Sequence, residues 1–135
     1  INTTSISGYL RFLMLAKLRP LRRFGYRYPL EQAQIESWLA LISDTAKLSP
    51  AVALDVAECA RLIKGYGDTY ARGSANYRTI VARVIQPLLA GHIPPERAAD
   101  AIASARTAAL VDPEGESLAK CLAALSGQEF RVAAE

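Results

Sequence analysis

The apolar positions of this chain recur at helical spacing from end to end. Tyr9, Leu10, Leu13 and Met14 share a stripe with Lys17, and Pro20 ends or kinks that pattern. Pro29 suits a first helical position and Glu31 a first turn, and Ile35, Trp38, Leu39 and Ile42 follow as one apolar face. Ser49 before Pro50 reads as a capping hydroxyl followed by a proline at the first helical position. Val52, Val56, Cys59 and Ile63 then share a face, with Asp55 and Glu58 turned away from it. That helix is expected to run to Lys64 and stop at Gly65.

A fourth stripe holds Tyr77, Ile80, Val81, Val84, Ile85 and Leu88, with Pro87 bending its last turn and Gly91 after it. A fifth helix begins at Pro95 and faces inward through Ala98, Ile102, Ala105 and Ala109. Asp112 and Pro113 repeat the cap-then-proline signal. The sixth helix buries Leu118, Cys121, Leu122 and Leu125 and stops at Gly127, leaving a frayed tail from Gln128. No segment alternates as a strand would, and no Asn-Gly turn marks a hairpin. The expectation is an all-α bundle of about six short helices joined by loops marked with proline and glycine.

At 135 residues the chain reads as a single helical domain, 1–135. It begins with isoleucine, carries no signal-peptide pattern and reaches nowhere near the roughly 18 unbroken apolar residues of a membrane span. It therefore reads as a soluble, cytoplasmic piece of a longer polypeptide. Cys59 and Cys121, far apart in apolar helical patterns, read as reduced core cysteines. Two thiols cannot hold a cluster that wants four. His92 stands alone as an exposed loop histidine, and no acidic spacing gives a metal site. No nucleophile–base pair is legible, so no catalytic residue is assigned.

Charge changes the picture locally. Residues 1–28 carry +6 through Arg11, Lys17, Arg19, Arg22, Arg23 and Arg27 with no acid, whereas the remainder sums to −3. Arg19, Arg22, Arg23 and Arg27 form a basic connector interleaved with Phe24, Tyr26 and Tyr28. Such a connector pairs with carboxylates of a neighbouring domain or, less in keeping with the rest of the chain, with nucleic acid.

The stretch Lys64, Gly65, Tyr66, Gly67, Asp68, Thr69, Tyr70, Ala71, Arg72, Gly73 concentrates glycines beside charges. It is not a P-loop, because the lysine precedes the glycines. It is not a dinucleotide fingerprint, because Tyr70 holds the third glycine's place and a helix precedes it. Its first reading is a turn: Gly65 or Gly67 as a left-handed cap, Asp68 or Thr69 capping the next helix, Tyr66 and Tyr70 covering the joint. The other readings are an anion site aided by Lys64, Arg72 and Arg78, and a contact surface for a partner protein.

Two blocks carry a resemblance. Arg22, Arg23, Arg27, Glu31, Ile35, Trp38 and Leu39 form the first; Arg61, Leu62, Lys64, Gly65, Tyr66, Gly67, Asp68, Thr69, Arg72 and Gly73 form the second. Together they resemble the C-terminal helical region of the indolepyruvate oxidoreductase beta subunit, of the 2-oxoacid:ferredoxin oxidoreductases. The likeness covers about Leu10 to Leu125. The family often has histidine where this chain has Tyr70, so no proton-transfer role is carried to that position.

The resemblance implies an accessory, docking domain rather than a catalytic one. The parent enzyme would convert an aryl 2-oxoacid to an acyl-coenzyme A with loss of carbon dioxide, passing electrons to ferredoxin. Thiamine diphosphate, iron–sulfur clusters and coenzyme A would belong to the parent complex, none to this piece. The implied partners are the alpha subunit and an N-terminal α/β domain of the same enzyme, with ferredoxin reached indirectly. The alternative is a stand-alone helical module that binds an acidic ligand, nucleic acid or a phosphate-bearing cofactor, through the basic N-terminal stretch.

Overall fold

A computed structural model describes residues 5–18, 21, 25 and 27–132, with side chains for all of these except residues 27 and 127–132. Among them there is no strand, and the chain is an all-α bundle of six helical rods. It forms two compact units, Ile1–Trp38 and Leu39–Glu135.

The first unit contains α1, Ile6–Lys17, and the start of α2, Arg27–Ala46. Ser5 caps α1 by accepting from the Gly8 N–H at 3.1 Å. Gly8 is the unit's one buried residue among those described. The predicted stripe of α1 is exposed: Tyr9, Leu10, Leu13 and Met14 all face solvent, as do Phe12 and Leu15. α2 begins two residues before Pro29, which places Glu31 beyond its first turn. Ile35, expected on an apolar face, is also exposed.

The second unit holds the core. α2 enters it with Leu41 and Thr45 buried, and the Thr45 hydroxyl donates to the Leu41 carbonyl at 2.7 Å. α3, Pro50–Glu58, tightens into a 3₁₀ turn, Cys59–Leu62. The helix thus ends short of Lys64. Ser49 sits at the N-cap, but its hydroxyl makes no capping bond; the proline at the first position lacks an N–H that would have had no intrahelical partner.

α4, Gly67–Ile80, passes through a π-helical turn, Val81–Ile85, into α5, Gln86–Leu89. Pro87 explains the π turn. Its ring clashes with the carbonyl four residues back in a regular helix, and it has no N–H to donate. Widening the coil lets the Gln86 N–H reach the Val81 carbonyl instead. Gly91, at φ +80°, closes this rod: His92 N–H donates to the Pro87 carbonyl and Gly91 N–H to the Leu88 carbonyl, each at 2.9 Å.

α6, Pro95–Val111, is the central helix. It packs on α3, on α4 with its π turn, and on α7, Glu116–Val132. Ala98, Ile102, Ala105 and Ala109 are buried as the spacing predicts, and Ile80, Ile85, Leu88, Val52, Val56 and Leu118 close the core around them. Small residues on the central helix let its neighbours approach closely. α7 does not stop at Gly127 but continues to Val132, correcting both the expected end and the frayed tail. A glycine inside a helix costs only about 1 kcal/mol, less than a helix needs to break.

Asp55 was expected to point away from the core face. It points instead at α6. Arg106 Nη1 donates to the Asp55 carboxylate at 2.8 Å and to the Asp55 carbonyl at 3.1 Å. The two side chains are 16% and 22% exposed, so the pair is largely withdrawn from water.

Candidate functional site

The glycine stretch is a turn built by two left-handed residues. Lys64 N–H donates to the Leu62 carbonyl at 3.1 Å, closing a tight turn at Ile63 (φ −87°, ψ 77°). Gly65 at φ +85° and Gly67 at φ +56° then reverse the chain. Both glycines take the conformation that one of them was expected to need. α4 starts at once, with Tyr66 at the N-cap and no side-chain capping bond. Asp68 and Thr69 therefore lie inside the first turn and do not cap it. Asp68 sits there as an acid beside the helix's positive end. Gly67→Ala is expected to cost roughly 1 kcal/mol, from φ alone, because its surroundings are open. Gly65→Ala should cost more, because its Cβ would lie 2.9 Å from the Thr69 methyl. Chemical denaturation of the two variants checks the order.

The stretch divides into two groups of residues. Lys64, Gly65, Tyr66, Gly67, Asp68 and Thr69 are exposed. Tyr66, expected to cover the joint, is 96% exposed. Arg72 and Gly73 have structural work. Arg72 Nη1 donates to Glu114 at 2.6 Å, which ties α4 to the loop before α7. Beside it, Asn76 Nδ2 donates to the Pro113 carbonyl at 3.1 Å. A Cβ on Gly73 would overlap the Leu62 carbonyl oxygen, so α4 crosses the 3₁₀ turn with no room for a side chain. Arg78 is exposed on α4. An anion at this turn would meet the Asp68 carboxylate in the first turn and an Arg72 already paired.

Arg19, Arg22 and Arg23 of the basic connector lie outside the described residues, as do Phe24 and Tyr26. Arg27 opens α2, with its side chain outside the description. His92 is exposed, as expected of a loop histidine.

Both cysteines are free, Cys59 buried and Cys121 half-buried. Burial pushes the Cys59 thiol up to about 11, against a smaller opposing pull from Arg106. It is protonated and unreactive near neutral pH. Asp112 accepts from the Ser117 N–H at 2.8 Å and the Glu114 N–H at 3.1 Å. Those bonds, chiefly the one from Ser117, hold its carboxyl below the usual range. Asp112 thus organises the entry to α7 from outside the helix, a longer reach than the expected cap. No metal-ligating cluster occurs among the described residues.

Sequence reasoning passed over one cavity. A groove of about 380 Å³ opens between the π turn, α6 and α7. Arg83 and Arg97 lie on its walls with Asp100, above an apolar lining that includes Val84, Ile93 and Leu122. The only signals for it in the sequence were Pro87, which displaces the backbone at Arg83, and a polar flank on an alanine-rich helix.

The chain belongs to a family of unknown function (DUF6537), whose model matches residues 1–83, more than half its length. No curated protein and no solved structure matches it. No helix among the described residues is long and apolar enough to cross a membrane.

Proposed function

We propose that this member of the DUF6537 family is an accessory docking domain of an indolepyruvate ferredoxin oxidoreductase-type enzyme. The observation that carries the docking role is Tyr66. It is 96% exposed on a turn set by two glycines of positive φ, and it packs on nothing that would explain it. Tyrosine is among the residues that anchor protein interfaces, and a pre-set turn reduces the ordering cost of binding. The exposed Tyr9, Leu10, Phe12 and Met14 of α1 add a second apolar surface of the kind that marks interaction sites.

The enzyme class rests on the resemblance of the two sequence blocks. On this reading the chemistry belongs to the parent complex in the cytoplasm: thiamine diphosphate, iron–sulfur clusters and coenzyme A are held by other parts of it. This domain meets the alpha subunit and the α/β domain, and no residue of it touches the reacting atoms. The complete protein, supplied with thiamine diphosphate and coenzyme A, is expected to reduce ferredoxin when given indolepyruvate and to form an acyl-coenzyme A. Absence of oxoacid-dependent reduction with any aryl 2-oxoacid would overturn the class.

A further inference from the structure

We propose that the groove between the π turn, α6 and α7 is a binding site for a small carboxylate with an apolar body. This site is independent of the docking reading, because neither Tyr66 nor α1 lines it.

The groove has the size of a small-molecule site. Its lining divides by chemistry. Val84, Ile93, Ala101, Leu122 and Leu125 supply an apolar floor. Arg83 and Arg97 supply two guanidiniums, and neither makes an ion pair or side-chain hydrogen bond among the described residues. That contrasts with Arg61, Arg72 and Arg106, each of which holds a carboxylate of this chain. Two unpaired forks beside an apolar surface match a ligand whose head is a carboxylate, which guanidinium binds through two parallel bonds. Ser104 adds a hydroxyl that can donate to the same head, whereas the Ser126 hydroxyl already donates to the Ala123 carbonyl at 3.0 Å. Asp100 is the single acid of the lining, so the site keeps a net charge of +1.

The backbone supports the same assignment. Arg83 projects from the π turn, where the helix departs from its regular hydrogen bonding. Single π turns inside helices occur often at functional sites. Here Pro87 enforces the widening.

The test is calorimetric titration of the intact protein with octanoate, octylamine, octanol and acetate, repeated on Arg83→Gln, Arg97→Gln and their combination. Octanoate is expected to bind, and the other three to bind at least about tenfold more weakly, because each lacks the charge or the body. The double variant should lose about tenfold or more in octanoate affinity while melting as the parent does, since both arginines are exposed. Asp100→Asn should bind octanoate a few-fold more tightly, by removing the one repelling charge. No octanoate binding overturns the proposal, as does equal binding of octylamine, octanol or acetate. Octanoate affinity unchanged in all three arginine variants places the ligand elsewhere and overturns it too. If the double variant melts early, the two single variants decide.

Discussion

Gly73→Ala is expected to destabilise the fold by about 3 kcal/mol or more, although helix propensity alone predicts a gain. Gly73 lies well inside α4, where alanine is better than glycine by about 1 kcal/mol. The neighbouring 3₁₀ turn reverses the sign. An added Cβ would overlap the Leu62 carbonyl oxygen and stand 3.2 Å from its carbon. Both atoms are backbone, so neither can swing aside as a side chain tip can. The Leu62 oxygen is also held by the Lys64 N–H. Relief requires α4 to lift from the turn, which opens the packing around buried Leu62 and Tyr77. Ala71→Gly, at an exposed position of the same helix, provides the contrast, with a loss of about 1 kcal/mol. Denaturant midpoints of the pair read the difference, and a Gly73→Ala protein as stable as its parent would refute the close crossing.

Arg106→Ala is expected to cost about 3 kcal/mol. The guanidinium satisfies both the carboxylate and the carbonyl of Asp55 from one nitrogen, at a joint between α3 and α6 that water barely reaches. Removing it leaves the Asp55 carboxylate without its partner in a largely dehydrated place, which is where a broken pair is costly, while the Asp55 carbonyl keeps its bond from the Cys59 N–H. Asp55→Asn should cost less, about 1 kcal/mol, because the amide oxygen still accepts the bond. Asp55→Ala combined with Arg106→Ala should destabilise by clearly less than the two separate losses added together. A double-mutant cycle measures that coupling; strict additivity would mean that the pair contributes nothing.

How legible the molecule is from its sequence depends on whether a feature is local. α6 is legible almost residue by residue: Pro95 opens it, and Ala98, Ile102, Ala105 and Ala109 are its buried face. Cap and punctuation signals depend only on near neighbours, and hydrophobic spacing depends only on period. Asp55 is a different case. Its position on the polar side of α3 reads as solvent-facing, and only the arrival of α6 turns it into half of a clamp. Gly73 is similar. Nothing in its neighbours tells that a carbonyl eleven positions back will press against it.

The candidate site shows the same division. The motif from Lys64 to Gly73 reads as one unit, yet it holds an exposed tip at Tyr66 and two residues, Arg72 and Gly73, committed to packing. The groove at Arg83 and Arg97 was not legible. Its walls come from three helical segments, and its shape depends on a π turn that local periodicity does not signal. Exposure of α1 was not legible either, because an apolar stripe reads the same whether this chain covers it or another does.

The docking account is tested most directly by Tyr66→Ala in the complete enzyme, with oxoacid-dependent ferredoxin reduction and thermal melting read on the same preparation. Tyr66 is almost wholly exposed, so its loss should leave melting within about 0.5 kcal/mol of the parent. If Tyr66 anchors an interface, truncating it removes about 2 kcal/mol or more of assembly energy. The account therefore predicts unchanged melting of this domain with reduced turnover that recovers as the partner subunit is added in excess. Full turnover at limiting partner concentration, with melting unchanged, would contradict it.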